Sequence, residues 1–259
     1  MAALLEVRDI KKYFGGILAL RDISFHVNKG QIKAIIGPNG AGKTTLFNCI
    51  SGLLKADNGT IDLFGKSILG LPPHKIAAKG ISRTFQNVAI FPDMTVWENV
   101  MVGRHCCSKS EILSAGFRFP AMKKEERTIR EKAWHFLDFV GLESQGEKMA
   151  GELPLGDQRL LEMARALATE PELLLLDEPA GGLNTKETER LAELIYSIRE
   201  SGTTVLVVEH DMNLVMEISD EIVVINFGEK LAEGSPLSVK NDSRVINAYL
   251  GEEVDYSEF

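Results

Sequence analysis

Three short stretches of this 259-residue chain carry side chains suited to phosphate chemistry. The first is Gly37-Pro38-Asn39-Gly40-Ala41-Gly42-Lys43-Thr44, a full G-x-x-x-x-G-K-[ST] match. Gly37, Gly40 and Gly42 let the backbone curl so that successive N–H groups point at phosphate oxygens. Lys43 supplies an ammonium for the β- and γ-phosphates, and the Thr44 hydroxyl can ligate Mg²⁺. Pro38, Asn39, Ala41 and Thr45 complete the set expected to face a nucleotide. A helix that begins inside this loop would present its positive end to the same anion. The competing reading is a glycine-rich turn that happens to contain Lys-Thr. A strand-like run before the loop and a helical run after it favour the nucleotide site.

The second stretch is Leu173-Leu174-Leu175-Leu176-Asp177-Glu178, an apolar run ending in two carboxylates. Strand ends meet at the site in a parallel sheet, so Asp177 is expected to reach Mg²⁺, directly or through water. Glu178, one position further, is placed to orient and deprotonate an attacking water. Alone, an Asp-Glu pair after a strand reads equally well as a loop or helix cap. The third stretch is Val205 to Val208 followed by Glu209-His210. A lone histidine is more often structural, but at the end of a core strand beside a phosphate site His210 is expected to sense the γ-phosphate.

These residues need a scaffold, and the pattern supplies one. Leu5 to Val7, Ile23 to Val27, Gln31 to Ile36, Gly59 to Leu63 and Ile81 to Phe85 read as strands, with a helix from Gly42 to Ser51. Early strands without intervening helices predict an antiparallel portion near the N-terminus. Thr95 to Arg104, Lys123 to Val140 and Asp157 to Thr169 carry apolar residues at helical spacing. From Leu173 onward strand and helix alternate: Leu173 to Asp177, Lys186 to Glu200, Thr204 to Val208, Asp211 to Ile218, Glu221 to Asn226. Such alternation predicts a parallel sheet with helices on its faces. The expected class is α/β in one domain over 1–259. Its core spans about 1–86 and 157–251, with a helical insert over about 87–156 and an acidic tail at 252–259.

Composition narrows the function. Twenty-nine basic and 37 acidic residues give a net charge of −8, which argues against nucleic acid as a partner. Apolar runs such as Leu173 to Leu176 fall far short of the roughly 20 residues needed to span a bilayer. The start Met-Ala-Ala-Leu-Leu-Glu has no basic stretch ahead of an apolar core, so no secretion signal is expected. Cys49, Cys106 and Cys107 offer neither a disulfide framework nor zinc spacing, even with His105 alongside.

Taken together the motifs resemble the ATP-binding subunits of ABC transporters over nearly the whole chain. That family has a P-loop NTPase core of RecA type with an antiparallel β subdomain and an inserted helical subdomain. The resemblance implies Mg²⁺-dependent ATP hydrolysis. It identifies Gln86, in Arg83-Thr84-Phe85-Gln86, with the Q-loop that touches Mg²⁺ and water, and His210 with the switch histidine. Phe14, in Lys12-Tyr13-Phe14-Gly15-Gly16, matches the aromatic that stacks on adenine, with Tyr13 as the less fitting substitute. Ala180 to Asn184 matches the D-loop, with Asn184 where the family has Asp.

One motif departs. The family signature Leu-Ser-Gly-Gly-Gln, which opens a helix and binds the γ-phosphate held by the opposite subunit, is here Leu153-Pro154-Leu155-Gly156-Asp157. Pro154 has neither a hydroxyl nor a backbone N–H. Asp157 suits a helix start but brings negative charge near a phosphate. Gly156 and the helix end remain. The expected partner is therefore a second, unlike ATPase with a complete signature, a homodimer being the alternative.

The finer resemblance is to ATPases of branched-chain amino-acid importers. It rests on Arg83 to Asn87, Phe91 to Asn99, Gly182 to Thr188, Glu209 to Met212, the length between Gly103 and Ala133, and the ending Val245 to Gly251. It implies a peripheral location on the cytoplasmic side of the membrane, bound to permease subunits and served indirectly by a solute-binding protein. Urea or amide importers and lipopolysaccharide-export ATPases share much of this pattern, and non-transport ABC ATPases are a more distant alternative. Val88, Ile90, Phe91, Met94 and Val96 are expected either to line a permease groove or to form a small internal core.

Overall fold

The computed structural model describes residues 3–105 and 120–250. Cys106, Cys107 and the acidic tail 252–259 lie outside the described residues. Two long strands, β1 (Ala3–Phe14) and β2 (Ile17–Asn28), form a hairpin, and β3 (Ile32–Ile36) leads into α1 (Lys43–Ile50). Next come β4 (Asn58–Leu63), β5 (Lys66–Ser67), α2 (Pro73–Ala77) and β6 (Ile81–Arg83). Strands β2-β1-β4-β5 make an antiparallel sheet, the N-terminal portion expected from the sequence.

The helices α3 (Val96–His105) and α4 (Pro120–Phe139) follow, then two 3₁₀ turns at Glu143–Gln145 and Ala150–Glu152, and α5 (Leu155–Leu167). The chain closes with β7 (Leu173–Asp177), α6 (Thr185–Glu200), β8 (Thr204–Val208), α7 (Met212–Ile218), β9 (Glu221–Asn226), β10 (Glu229–Gly234), α8 (Pro236–Lys240) and α9 (Ser243–Leu250). The second sheet has the order β10-β9-β3-β8-β7-β6. All its pairings are parallel except β10 against β9.

Every residue of β3, β7 and β8 is buried, which fits the near-continuous apolar runs of strands covered on both faces. Each such Leu, Ile or Val contributes about 1.5–3 kcal/mol on burial. One layer of core joins Ile32, Leu174, Leu176 and Val207 to Leu161, Ile195 and the helical segment's Val96 and Leu137. The opposite faces of the same strands, Ile35, Leu175 and Val208, pack with Phe47 of α1 and the antiparallel sheet. Alternate residues of one strand therefore serve two cores. The P-loop, Asp177-Glu178 and His210 all emerge from the carboxyl ends of neighbouring strands, where the connections diverge.

Two strands depart from the sequence expectation, and the apolar set around Phe91 divides. β6 stops at Arg83 rather than Phe85, because the Phe85 N–H turns away to donate to Glu162 Oε1 of α5 at 3.0 Å. β10 has no apolar alternation to betray it; the turn at Phe227-Gly228, both at positive φ, folds it back on β9. Val96 is fully buried in the core and belongs to no exposed cluster, whereas Phe91 and Met94 are exposed and Ile90 packs against the core from its edge.

Candidate nucleotide site

The loop between β3 and α1 has its conformation enforced by its neighbours. A Cβ on Gly37 would lie 2.0 Å from the Ile225 carbonyl oxygen of β9, and one on Gly42 would lie 2.8 Å from Leu20 Cδ2. Both have φ in the glycine-favoured region, +154° and +105°, so any side chain there collides and strains the backbone at once. The loop is tied on itself by Ala41 N–H to Pro38 O at 3.2 Å, and to the β9–β10 turn by Gly228 N–H to Ala41 O at 3.0 Å. Lys43, nearly buried, lies at its centre and donates to the carbonyls of Gly37 and Pro38.

Residues Asn39 through Thr45 line one side of a cavity of about 280 Å³; Gln86 and Glu178 stand on the other. Gln86 Nε2 donates to Glu178 Oε2 at 2.8 Å. Glu178 sits in the left-handed backbone region, φ +48°, an uncommon state for a residue with a side chain. Two backbone hydrogen bonds hold it there: its own N–H to Val208 O at 2.9 Å, and Gly181 N–H to its carbonyl at 3.1 Å. The turn this makes after β7 points successive carboxylates in different directions. Glu178 faces the cavity, while Asp177 is buried below it with Oδ2 held by Arg83 at 2.6 Å. Arg83 also donates to Asn48 Oδ1 and Ser51 Oγ of α1, and its guanidinium lies between the rings of Phe47 and Phe85.

His210 is largely exposed, with Nδ1 3.9 Å from Glu178 Oε2 and 3.7 Å from Glu209 Oε2. Glu209 is fully buried, and its carboxylate accepts the N–H groups of Ala180 at 2.8 Å and His210 at 2.9 Å. It thus staples the start of the 180–184 turn to the chain carrying His210. Phe14 stands half exposed at the end of β1, outside the cavity lining, with the Lys12 ammonium 5.6 Å from its ring centre. Asn184 is the N-cap of α6: its side chain accepts Glu187 N–H at 3.2 Å and Glu187 Oε2 accepts its own N–H at 2.9 Å. The capping box gives the asparagine a structural role that needs no acid.

Gly156 lies elsewhere, in the first turn of α5, where an added Cβ would come 2.6 Å from Glu187 Oε1. It does not join this chain's own cavity. Asp157 beside it is engaged at both oxygens, by Gln145 at 2.7 Å and Arg190 at 3.3 Å. Its charge is thereby partly offset.

The structure therefore gathers Lys43, Thr44, Gln86 and Glu178 around one space, with His210 at the rim and Asp177 beneath. The exposed Thr44 hydroxyl, the Gln86 amide oxygen and the carboxylates form an oxygen donor set of the kind a hard divalent cation takes. Arg83, Glu209, Arg159 and Glu162 were not legible as contributors. Arg159, Glu162 and Glu209 are buried and Arg83 is partly buried, and sequence spacing does not reveal which charges are buried.

The family model for the ABC transporter matches residues 20–181, and that for the branched-chain amino acid ATP-binding cassette transporter matches residues 229–255. The high-affinity branched-chain amino acid transport ATP-binding protein BraF of Pseudomonas aeruginosa is 49% identical over 96% of this chain and 98% of its own length. LivG of Escherichia coli, named for the same transport, is 45% identical over the same shares. A crystal structure of a nucleotide-free ATP-binding cassette from an ABC transporter superposes with a TM-score of 0.84 at 35% identity, covering 96% of this chain and 99% of that one. A dimeric cassette in a post-hydrolysis state, bound to ADP and Pi, superposes with a TM-score of 0.76 at 26% identity, over 90% and 98% of the two chains. With this breadth of match, the chain belongs to the family of ABC transporter ATP-binding subunits, ATP-hydrolysing cassettes built on the P-loop α/β fold.

Proposed function

We propose that this chain drives import of branched-chain or related amino acids, hydrolysing ATP on the cytoplasmic side of the membrane. The observation that carries the reading is the Gln86–Glu178 hydrogen bond closing a cavity over the Lys43 loop. The loop amides and Lys43 hold the β- and γ-phosphates, and Phe14 stacks on adenine. Thr44, Asp177 and Gln86 would hold Mg²⁺, which would neutralise charge on the phosphate oxygens. Glu178 takes a proton from the attacking water as its oxygen bonds to the γ-phosphorus. The bond to the bridging oxygen breaks, and ADP departs with that oxygen. His210, within reach of Glu178, faces the γ-phosphate and reports its presence. The names of the relatives support branched-chain amino acids over urea, amide or lipopolysaccharide cargo. Uptake of labelled leucine by cells in which this chain and its partner ATPase form the sole such importer, lost on Glu178→Gln, tests it.

Coupling to permease subunits runs through a groove of about 310 Å³ lined by Phe85, Ala89, Phe91, Val102 and Arg165. Two of its aromatics, Phe85 and Phe91, are exposed. Asn99, fully buried, brackets the Phe91 backbone, accepting its N–H at 2.8 Å and donating to its carbonyl at 3.0 Å. The ring is left exposed beside the Arg165 guanidinium. A second ATPase completes the machine, with the solute-binding protein acting indirectly through the permease. Pro154 caps α5 with no side-chain hydrogen bond, so this signature offers a phosphate no hydroxyl. That supports an unlike partner whose complete signature serves the Lys43–Glu178 site, while Gly156 serves the weaker reciprocal one. Mixing the chain with the second ATPase of its transporter should raise turnover; full turnover by the purified chain alone would overturn the pairing.

A further inference from the structure

Arg159 and Glu162, one helical turn apart on α5, hold the residue before Gln86 from both sides. The Phe85 N–H donates to Glu162 Oε1 at 3.0 Å, and the Phe85 carbonyl accepts Arg159 Nη1 at 3.2 Å. The other Arg159 nitrogen, Nη2, donates to Gly181 O at 3.3 Å. Gly181 in turn donates its N–H to the Glu178 carbonyl at 3.1 Å, and Glu178 accepts Gln86 at 2.8 Å. The contacts form a closed ring: Arg159, Phe85, Gln86, Glu178, Gly181 and back to Arg159. Both α5 residues are buried, at 8% and 3% exposure, so the ring's α5 side lies away from water while Phe85 and Gln86 reach the surface. The same helix begins at Leu155, with Gly156 in its first turn, three residues before Arg159.

We propose that Arg159, supported by Glu162, is a positioning residue that couples the start of α5 to the Gln86–Glu178 pair of its own chain. It rests on the reading above in one respect, that Gln86 and Glu178 serve hydrolysis and Gly156 meets the partner's nucleotide. A rigid helix held at both its N-terminal turn and its second turn moves as one body. A shift at Gly156 therefore displaces Phe85 and Gly181 together, and with them the amide and carboxylate that flank the cavity. The guanidinium suits this because its planar fork reaches two carbonyls on different segments at once. A lysine ammonium keeps the charge but not the fork. The consequence is communication between the two nucleotide sites of the pair that does not pass through the phosphate loop.

Hydrogen exchange followed by mass spectrometry on the full chain tests this. Arg159→Lys should speed exchange of the peptides holding 84–87 and 180–183 together, by roughly 10-fold, while the peptide holding 37–45 is unchanged. Gly156→Ala pushes the start of α5 against Glu187 and should alter exchange at 84–87 when Arg159 is present but not in the Arg159→Lys background. In the assembled transporter Arg159→Lys should lower kcat and leave KM for ATP within about twofold. If Arg159→Lys folds poorly, Glu162→Gln, which keeps an acceptor for Phe85, gives the same cycle with Gly156→Ala. Exchange at 84–87 that ignores Gly156→Ala in both backgrounds would overturn the coupling. Turnover surviving Glu178→Gln would instead overturn the catalytic reading and leave the exchange result standing.

Discussion

Gln86 and Glu178, 92 positions apart in sequence, meet through a 2.8 Å hydrogen bond across the cavity above the phosphate loop. One comes from the segment that leaves β6 early, the other from a strained turn after β7. The pairing orients the carboxylate without neutralising it, since a carboxamide donor leaves the oxygen able to accept a proton. Glu178→Gln should lower ATP turnover by about 10²–10⁴-fold while nucleotide affinity holds. Phosphate release and equilibrium nucleotide binding on the same preparation check both halves.

The Arg83–Asp177 pair is buried on both sides, with side-chain exposures of 8% and 3%. Removing the guanidinium leaves an uncompensated buried carboxylate, so Arg83→Met should destabilise the chain by about 3–5 kcal/mol. Chemical denaturation at neutral pH measures it. Lowering the Mg²⁺ concentration should then cut turnover more sharply in this variant than in wild type, because Asp177 has lost its anchor.

Phe91 and Val96 share a segment but face opposite ways, and a charge at each should fail differently. Phe91→Asp should leave folding and ATP binding intact and uncouple hydrolysis from transport, read as ATPase activity without uptake in proteoliposomes. Val96→Asp puts a charge into a fully buried position and should cost several kcal/mol of stability. A melting temperature lowered equally by both would contradict the division. Asn99→Ala, which removes the side chain bracketing the Phe91 backbone, should destabilise by about 2 kcal/mol and weaken coupling.

Burial pushes the Cys49 thiol up to about 11 from its ordinary 9.0. The folded state thus binds that proton more tightly than the unfolded state. The thiol's contribution is fully present below pH 9 and is lost as pH rises toward 11. Wild-type stability should decline between those values relative to Cys49→Ala, in denaturation series run at each pH.

How much of this could be read from the sequence follows from what each residue does. The P-loop was legible because steric limits on Gly37 and Gly42 and the chemistry of Lys43 leave few alternatives. The strand ends at Asp177 and His210 were legible because fully buried strands show as unbroken apolar runs. The division of labour between Asp177 and Glu178 was only partly visible, since a single left-handed residue turns one down to Arg83 and the other into the cavity. Arg83, Arg159, Glu162 and Glu209 stayed hidden because each has a partner on a segment distant in sequence. The choice between groove and internal core for the Val88–Val96 set has the same origin: five apolar residues close in sequence say nothing of which way a short loop turns them, and Val96 turns inward.

The most direct test is equilibrium binding of ATP, by calorimetry, to the wild-type chain and to Lys43→Ala. Loss of a charge-assisted contact to the phosphates should weaken binding by roughly 10- to 100-fold while the fold survives. An affinity within about twofold of wild type, in a variant shown to be folded, would contradict the account at its base.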